Sequence, residues 1–158
     1  MAYDKIIRLL NDSGIKFVIH EHQVIRTITD IEKKLPFPKE HLLKTVVFQL
    51  KDSFWILAAI KGQDRVDYRK LASAFEVKRN NLKCPSPEEV ESTLGFETGG
   101  VGPFPISDRI KVVFDSSLLN LDNVYCGVGR NDRTLDITLN DLLQVSKARV
   151  LPLVQIQA

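Results

Sequence analysis

Several motifs that define common enzyme and membrane-protein classes are missing from this sequence of 158 residues. No apolar run approaches the roughly 20 residues that a membrane-spanning helix needs. The sequence also lacks a Walker loop, a Gly-x-Ser-x-Gly elbow, a His-Glu-x-x-His helix and paired cysteine ligands. These absences argue against a membrane protein, a P-loop nucleotide-binding protein, an α/β-hydrolase and a zinc enzyme. We expect neither a metal nor another cofactor.

Cysteine is scarce as well, since the chain has two, Cys84 and Cys126, which lie far apart without a Cys-x-x-Cys partner. The first residues lack the basic-then-apolar layout of a secretion signal. Together these features predict a cytoplasmic protein with free thiols. We interpret Cys126 as a small buried strand residue, with a nucleophilic thiol as the alternative.

Positive and negative charges nearly balance, with a net charge of +2, but the positive charges are unevenly distributed along the chain. The basic window, residues 61–83, holds seven basic and three acidic residues. Such a cluster predicts a surface that faces phosphates, and a solvated helix face is the alternative. The basic side chains of this window are Lys61, Arg65, Arg69, Lys70, Lys78, Arg79 and Lys83.

Apolar periodicity and turn residues divide the chain into short elements. Capping residues predict helices at 2–12, 68–75, 87–94 and 140–146, with another short helix that begins at Thr29 or Asp30. Apolar runs predict strands at 17–21, 44–50, 54–60, 111–115, 123–128, 134–138 and 149–154, with a hairpin turn at 51–53. The irregular alternation predicts one mixed α/β or α+β domain over 1–158, with a mostly antiparallel, barrel-like central sheet surrounded by helices.

The glycine loop, residues 98–105, has three glycines and two prolines between hydrophobic segments. Glycine lets backbone N–H groups approach a ligand and proline stiffens the exit, so the segment suits an anion or oxyanion cradle. A tight turn is the alternative. Lys44 is a lone cation at the head of an apolar strand, where it must reach water, pair with an acid or serve a pocket.

Five motifs, in the same order along the chain, resemble the YbaK and prolyl-tRNA-editing family of aminoacyl-tRNA deacylases. They are His22 with Thr27, the segments 43–47, 67–71 and 95–103, and the segment 127–129 with 141–142. The resemblance covers nearly the whole chain. It implies that family's fold, a mixed sheet of mostly antiparallel strands with helices packed around it.

The resemblance also implies an activity, hydrolysis in trans of the ester that joins a wrong amino acid to the 3′-terminal adenosine of tRNA. By similarity, Lys44 would hold the substrate's terminal phosphate or carbonyl, and the N–H groups of Gly99, Gly100 and Val101 would stabilise the oxyanion. The basic window would then contact tRNA, and a synthetase is a further expected partner. The residues expected to contact substrate are His22, Thr27, Gly102, Pro103, Gly129, Asn131 and Asp132.

Two departures from the family pattern leave the substrate open. Gly102 stands where many members carry a hydroxyl residue, which is expected to remove a donor and widen the pocket. Asn131 and Asp132 either face a substrate amino group or form a surface turn. Alanine, serine and cysteine esters all remain candidates, with tRNA-Pro as a candidate carrier. The alternative functions are a tRNA-binding or synthetase-associated module without catalysis and a small-molecule ester or amide hydrolase.

Overall fold

Eight strands and five α-helices make up the regular structure of residues 1–51 and 53–156, which the computed structural model describes. The helices are α1 (Ala2–Ser13), α2 (Ile28–Lys34), α3 (Tyr68–Ala74), α4 (Pro87–Leu94) and α5 (Leu139–Ser146). The strands are β1 (Val18–Glu21), β2 (Leu43–Leu50), β3 (Trp55–Lys61), β4 (Leu82–Lys83), β5 (Ile110–Asp115), β6 (Asn123–Cys126), β7 (Arg133–Thr138) and β8 (Arg149–Leu151). Short 3₁₀ turns lie at Lys39–His41, Arg79–Asn81 and Ser116–Asn120.

The strands form two open sheets. The smaller sheet is antiparallel in the order β1-β7-β6, and the larger has the order β4-β2-β3-β5-β8. In the larger sheet β3 pairs with β5, and β5 with β8, in parallel, while the other pairs are antiparallel. The mostly antiparallel mixed fold is therefore as predicted. The barrel-like part of the prediction is not confirmed, because the described strands form two separate sheets that an isolated bridge between Leu42 and Tyr125 links.

Helix starts follow the capping chemistry of the sequence. Ser86 forms the predicted capping box with Glu89, and the Asp67 carboxylate accepts the N–H groups of the first turn of α3. The predicted caps of α2, Thr29 or Asp30, were wrong by two or three residues. Thr27, in an extended conformation, caps this helix by accepting the Asp30 N–H at 3.1 Å. Asp30 lies in the first turn, where a carboxylate also complements the helix dipole.

Strand β3 lies at the centre of the core and explains the apolar run at 54–60. All its residues from Trp55 to Ile60 are buried, with alternate side chains in two clusters on opposite faces of the sheet. Helices α1, α4 and α5 cover one face and α3 covers the other. The predicted hairpin is confirmed by the antiparallel pairing of β2 with β3, although Asp52 in its turn lies outside the described residues.

Both cysteines are free, and the buried position predicted for Cys126 is confirmed. Cys126 is buried at the end of β6, and burial raises the pKa of its thiol well above the usual range. A thiol in that environment is a poor nucleophile, because the thiolate is the reactive form. Among the described helices, none combines the length and apolar character needed to cross a membrane.

Candidate functional site

Two adjoining cavities meet at Lys44. The small cavity, of about 230 Å³, lies between the start of α2, the start of β2 and the glycine loop. The large cavity, of about 780 Å³, lies between β2 and the start of α3. Lys44 lines both cavities. In the hairpin it pairs with Ile60, at the end of β3 that leads to the basic window.

The small cavity combines an aliphatic wall with backbone and hydroxyl groups. Its wall includes Ile28, Ile31, Leu43 and Val101. A concave site with mostly apolar lining and a few polar groups is typical of a small-molecule pocket. The remaining residues of the lining are Arg26, Thr27, Lys44, Thr45, Gly99 and Gly127.

The glycine loop is held by hydrogen bonds to the segment that follows β6. The Gly129 N–H donates to the Gly100 carbonyl at 2.7 Å, and the Glu97 N–H donates to the Gly129 carbonyl at 3.0 Å. The Gly100 N–H donates to the Glu97 carbonyl at 2.8 Å. Gly100 is buried and its N–H is engaged within the loop, whereas Gly99 and Val101 line the cavity.

Close contact between backbone segments accounts for the glycines. A Cβ at Gly99, where φ is +90°, would lie 2.6 Å from the Arg26 Cα. A Cβ at Gly102 would collide with the Gly127 carbonyl oxygen and lie 2.9 Å from the Phe104 ring. Gly102 is buried and lies outside the lining of the small cavity. The expectation that Gly102 widens the pocket is therefore not met in this structure, because a side chain there would meet backbone.

Lys44 has an unusual electrostatic environment. Partial burial lowers its pKa below the usual lysine value, the nearby Arg65 charge lowers the pKa further, and Asp64 opposes both effects. Among the described residues, no carboxylate forms an ion pair with its ammonium group. Lys44 is thus a partly buried cation without an ion-pair partner among the described residues, and it belongs to the lining of both cavities.

Two threonines bring hydroxyl groups to the small cavity. The Thr27 hydroxyl accepts the Asp30 N–H, which leaves its own O–H free to donate. The Thr45 Oγ1 atom is buried without a hydrogen-bond partner among the described residues. Buried polar groups are nearly always paired, so the unpaired Thr45 hydroxyl is expected to cost stability.

His22 lies outside the lining of both cavities. Its Nδ1 atom lies 2.7 Å from the Gln23 carbonyl and its Nε2 atom 2.8 Å from the Thr134 hydroxyl. Both ring nitrogens are therefore used within the protein, with Nδ1–H donating to the carbonyl and the Thr134 hydroxyl donating to Nε2. In this arrangement His22 supports the turn before α2.

The segment 129–132 also supports the site from outside the cavity. The Asp132 carboxylate pairs with Arg130 at 2.9 Å and with Arg133 at 3.2 Å. These contacts lower the pKa of Asp132, with the Arg130 hydrogen bond as the largest cause. The Asn131 N–H donates to Glu97 at 2.9 Å, and its carbonyl accepts the Ile25 N–H at 2.9 Å. The structure therefore favours the turn interpretation of Asn131 and Asp132.

Pro103 is buried beside Gly102, outside the lining of either cavity.

The large cavity gathers part of the basic window. Arg65, Arg69 and Arg79 line it together with Lys44, and Tyr68 contributes an aromatic ring. The Arg79 guanidinium lies over that ring, 4.6 Å from its centre. Basic side chains beside an aromatic ring are typical of sites that bind phosphate and base. Lys61, Lys70 and Lys78 lie outside this lining, and Lys70 instead donates to the Val154 carbonyl at 2.9 Å.

Sequence comparison identifies the family to which this arrangement belongs. The family described as "Aminoacyl-tRNA editing domain" matches residues 22–145, which hold the walls of the small cavity. This chain belongs to the aminoacyl-tRNA editing domain family. Proline--tRNA ligases are similar to it, with 27% identity over 108 residues in Aquifex aeolicus and 31% over 103 residues in Thermotoga neapolitana. These matches cover 68% and 65% of this chain, and 19% and 17% of the respective ligases. The editing domain thus spans less than a fifth of the length of those relatives.

Solved structures share the whole fold of this editing domain. A hypothetical protein superposes with a TM-score of 0.85 at 20% identity, covering 96% of this chain and 99% of the other. A proposed trans-editing enzyme for prolyl tRNA synthetase gives a TM-score of 0.80 at 23% identity, covering 98% of each chain. At these identities, the superpositions show a shared fold.

Several cavity residues of the editing domain were missed by sequence reasoning. Ile28, Ile31 and Gly127 line the small cavity, and Tyr68 lines the large one. The spacing of Ile28 and Ile31 on one helix face, and an aromatic beside Arg69, were the available signals. Thr45 gave no signal, because neighbouring strand residues point to opposite faces and Lys44 was the expected pocket residue.

Within residues 1–51 and 53–156 of the editing domain, no group of three or more His, Cys, Asp or Glu side chains is arranged to hold a metal ion. The Asp64 carboxylate raises the pKa of Lys44, against the effects of burial and of Arg65.

Proposed function

We propose that this editing domain is a trans-acting aminoacyl-tRNA deacylase, which hydrolyses the ester of a mischarged tRNA. The observation that carries the proposal is the position of Lys44 between a small, mainly apolar cavity and a large basic cavity. An aminoacyl ester also has two unequal parts, a small amino acid and a polyanionic nucleic acid. The ester bond would lie where the cavities meet, beside the Lys44 ammonium.

The proposed reaction is addition of water to the ester carbonyl carbon. The carbonyl oxygen gains negative charge as the C–O bond to water forms. The attacking water gives up one proton as it adds. The tetrahedral intermediate then expels the ribose oxygen, which takes up that proton as the amino acid departs. Ester hydrolysis needs stabilisation of the developing oxyanion more than it needs a protein nucleophile, and preorganised donors in a dry pocket supply it.

Lys44 and the glycine loop are the groups best placed for that stabilisation. The lysine is partly buried, so its interaction with an oxyanion is less screened than it would be in water. The N–H groups of Gly99 and Val101 are the remaining loop donors beside the cavity once Gly100 is assigned to its own loop bond. The free O–H of Thr27 is a further donor at the cavity wall.

The large cavity is assigned to the 3′ end of the tRNA. Arg65, Arg69 and Arg79 would contact backbone phosphates, which position a nucleic acid without selecting a reaction. Tyr68 would offer a face or edge to an unpaired base, and its ring already holds the Arg79 guanidinium. Other lysines of the basic window lie outside the cavity lining and would attract tRNA only through their long-range electrostatic field. They include Lys61, Lys70 and Lys78.

The size of the small cavity suggests the amino acid. About 230 Å³ with an aliphatic wall suits a short side chain, which favours alanine, serine or cysteine esters. The similarity to proline--tRNA ligases favours tRNA-Pro as the carrier and a synthetase as a partner. Reaction without a metal, in the cytoplasm, completes the proposal.

Single-turnover deacylation of alanyl-, seryl- and cysteinyl-tRNA-Pro tests this function. Lys44→Ala should reduce the rate by about 10²–10³, the usual cost of losing one oxyanion donor. Lys16→Ala, which removes an exposed cation outside the lining of both cavities, is the matched control and should keep the wild-type rate. Cognate prolyl-tRNA-Pro and seryl-tRNA-Ser in the same panel measure selectivity.

The outcomes separate the proposed enzyme from its alternatives. Selective hydrolysis that depends on Lys44 supports the deacylase. Salt-dependent tRNA binding without hydrolysis of any substrate would instead support a binding module. Undiminished hydrolysis by Lys44→Ala would overturn the assigned role of the lysine.

A further inference from the structure

A third cavity lies at the opposite end of the larger sheet. It has a volume of about 490 Å³, and its aromatic wall is formed by Phe54 and Phe75, whose ring centres are 5.7 Å apart. Phe54 precedes β3, whereas Lys44 pairs with Ile60 near the other end of that strand. Six residues of strand separate the two places by about 20 Å. The aromatic cavity is therefore distinct from the proposed deacylation site.

Cations surround the aromatic cavity. Lys111, Lys147 and Arg149 line it, and among the described residues no Asp or Glu does. The Lys111 ammonium lies 5.9 Å from the Phe54 ring centre and the Arg149 guanidinium 5.5 Å from that of Phe75. The floor is apolar, formed by Ile110, Val112, Val113 and Pro105. A cavity of this kind complements a ligand with an apolar body and anionic groups.

Lys147 holds a helix end where glycine is the more usual residue. It ends α5 in the left-handed conformation, with φ 53° and ψ 38°. A side chain there raises the energy of the backbone, so glycine is an unstrained replacement at this position. Lys147 also lines the aromatic cavity, where it adds a third positive charge to those of Lys111 and Arg149.

The apolar lining decides between two classes of anionic partner. Six of the ten described lining residues are apolar, which suits an aliphatic or aromatic side chain better than a polar nucleic-acid base: Phe54, Phe75, Pro105, Ile110, Val112 and Val113. An aliphatic or aromatic side chain can enter the cavity from the edge of the rings, while carboxylates pair with cations at the rim. This arrangement matches a protein interface with an apolar centre and a polar rim.

From these observations we infer that the aromatic cavity is a docking site for an acidic segment of a partner protein, anchored by an apolar side chain. The inference concerns a surface remote from Lys44 and does not depend on the deacylase activity. The partner's apolar residue would contact the edges of the Phe54 and Phe75 rings. Its flanking Asp or Glu residues would pair with Lys111, Lys147 and Arg149.

Fluorescence anisotropy with a labelled peptide of sequence EDLFED tests the inference. The peptide should bind the wild-type chain, whereas EDGSED, which lacks the apolar anchor, should bind much more weakly. Lys147→Gly combined with Lys111→Gln should weaken binding by about fivefold or more, the sum of two partly exposed ion pairs. The matched control Lys16→Gln removes an exposed cation elsewhere and should change the affinity less than twofold.

Two further measurements on these variants separate a loss of peptide binding from a loss of folding or of catalysis. Lys147→Gly relieves the left-handed strain, so the chain should unfold at the same or a higher temperature than the wild type. Deacylation should stay at the wild-type rate, since neither lysine lines the cavities beside Lys44. The inference would be overturned if Lys16→Gln lost as much affinity for EDLFED as the double variant. It would also be overturned if EDGSED bound the wild-type chain as tightly as EDLFED. It would also be overturned if a single-stranded RNA hexamer bound more tightly than EDLFED and lost affinity with the same double variant.

Discussion

The pKa of the Lys44 side chain should determine how the rate of the proposed deacylation depends on pH. Desolvation and the charge of Arg65 lower its pKa, and Asp64 raises it. A lysine with a lowered pKa loses its proton at a lower pH than a solvent-exposed lysine. If the cation is the active form, the enzymatic rate must fall as pH rises through that lowered pKa.

The two neighbours predict opposite shifts of this alkaline limb. Arg65→Gln removes a like charge, so the limb should move to higher pH, towards the usual lysine range. Asp64→Asn removes an opposite charge, so the limb should move to lower pH. Single-turnover rates at saturating enzyme, corrected for spontaneous ester hydrolysis, measure both shifts. The same limb in all three proteins would mean that another group titrates.

Thr45 leads to a stability prediction with an unusual sign. Its buried hydroxyl has no partner among the described residues, and an unpaired buried hydroxyl costs about 1–3 kcal/mol. Thr45→Val replaces that hydroxyl with a methyl group of similar volume. We expect the free energy of unfolding to rise by about 1 kcal/mol, measured by urea denaturation.

Thr134 provides the matched control for Thr45. It is also a buried threonine, but its hydroxyl lies 2.8 Å from His22 Nε2. Thr134→Val should therefore lower the free energy of unfolding by about 1 kcal/mol, because it leaves the imidazole without its partner. Equal destabilisation by the two substitutions would show that the Thr45 hydroxyl is paired in solution.

At the scale of elements, the glycine loop is positioned by contact between its backbone and that of 127–130. Gly102→Ser should test this contact, because the new Cβ would meet the Gly127 carbonyl. We expect a loss of about 2–3 kcal/mol in the free energy of unfolding, typical of overpacking a closed site. Gly14→Ala, at φ +71° with open space around it, should cost only about 1 kcal/mol. Similar losses at both sites, measured by urea denaturation, would argue against tight packing.

Local elements were predictable where their cause is local. Ser86 and Asp67 cap their helices as the sequence indicates, because a cap depends on residues within one turn. The start of α2 was misplaced because three residues able to cap a helix, Thr27, Thr29 and Asp30, lie close together. The parallel pairs of β5 with β3 and β8 could not be predicted, since they join distant segments whose register no local pattern specifies.

The candidate site was predictable only in part for the same reason. Lys44 and the glycine loop stand out in the sequence as a cation in an apolar strand and a run of chain-breaking residues. Their meeting with Ile28 and Gly127 depends on how α2 and the end of β6 pack, which is a tertiary property. Gly102 shows the limit most clearly, because its importance lies in the backbone of another segment rather than in the cavity.

At the scale of the whole molecule, charge that is nearly neutral in sum is concentrated where the cavities open. Lys44, Arg65, Arg69 and Arg79 converge on the large cavity although the chain carries a net charge of only +2. A converging set of cations attracts a polyanion more strongly than the net charge suggests. The basic window could be recognised in the sequence. Which of its residues line the same cavity depends on the fold.

That selection predicts a difference between two adjacent basic residues of α3. Arg69 lines the large cavity, whereas Lys70 donates to the Val154 carbonyl. Each phosphate contact on a single strand contributes about 0.7 to the slope of log K against log salt concentration. Arg69→Gln should therefore lower the slope for tRNA binding by about 0.7, and Lys70→Gln should leave it near the wild-type value. Filter binding between 50 and about 300 mM salt measures both slopes. Equal reductions of the two slopes would contradict this prediction. They would mean that tRNA affinity depends on the total charge of α3 and not on which residue lines the large cavity.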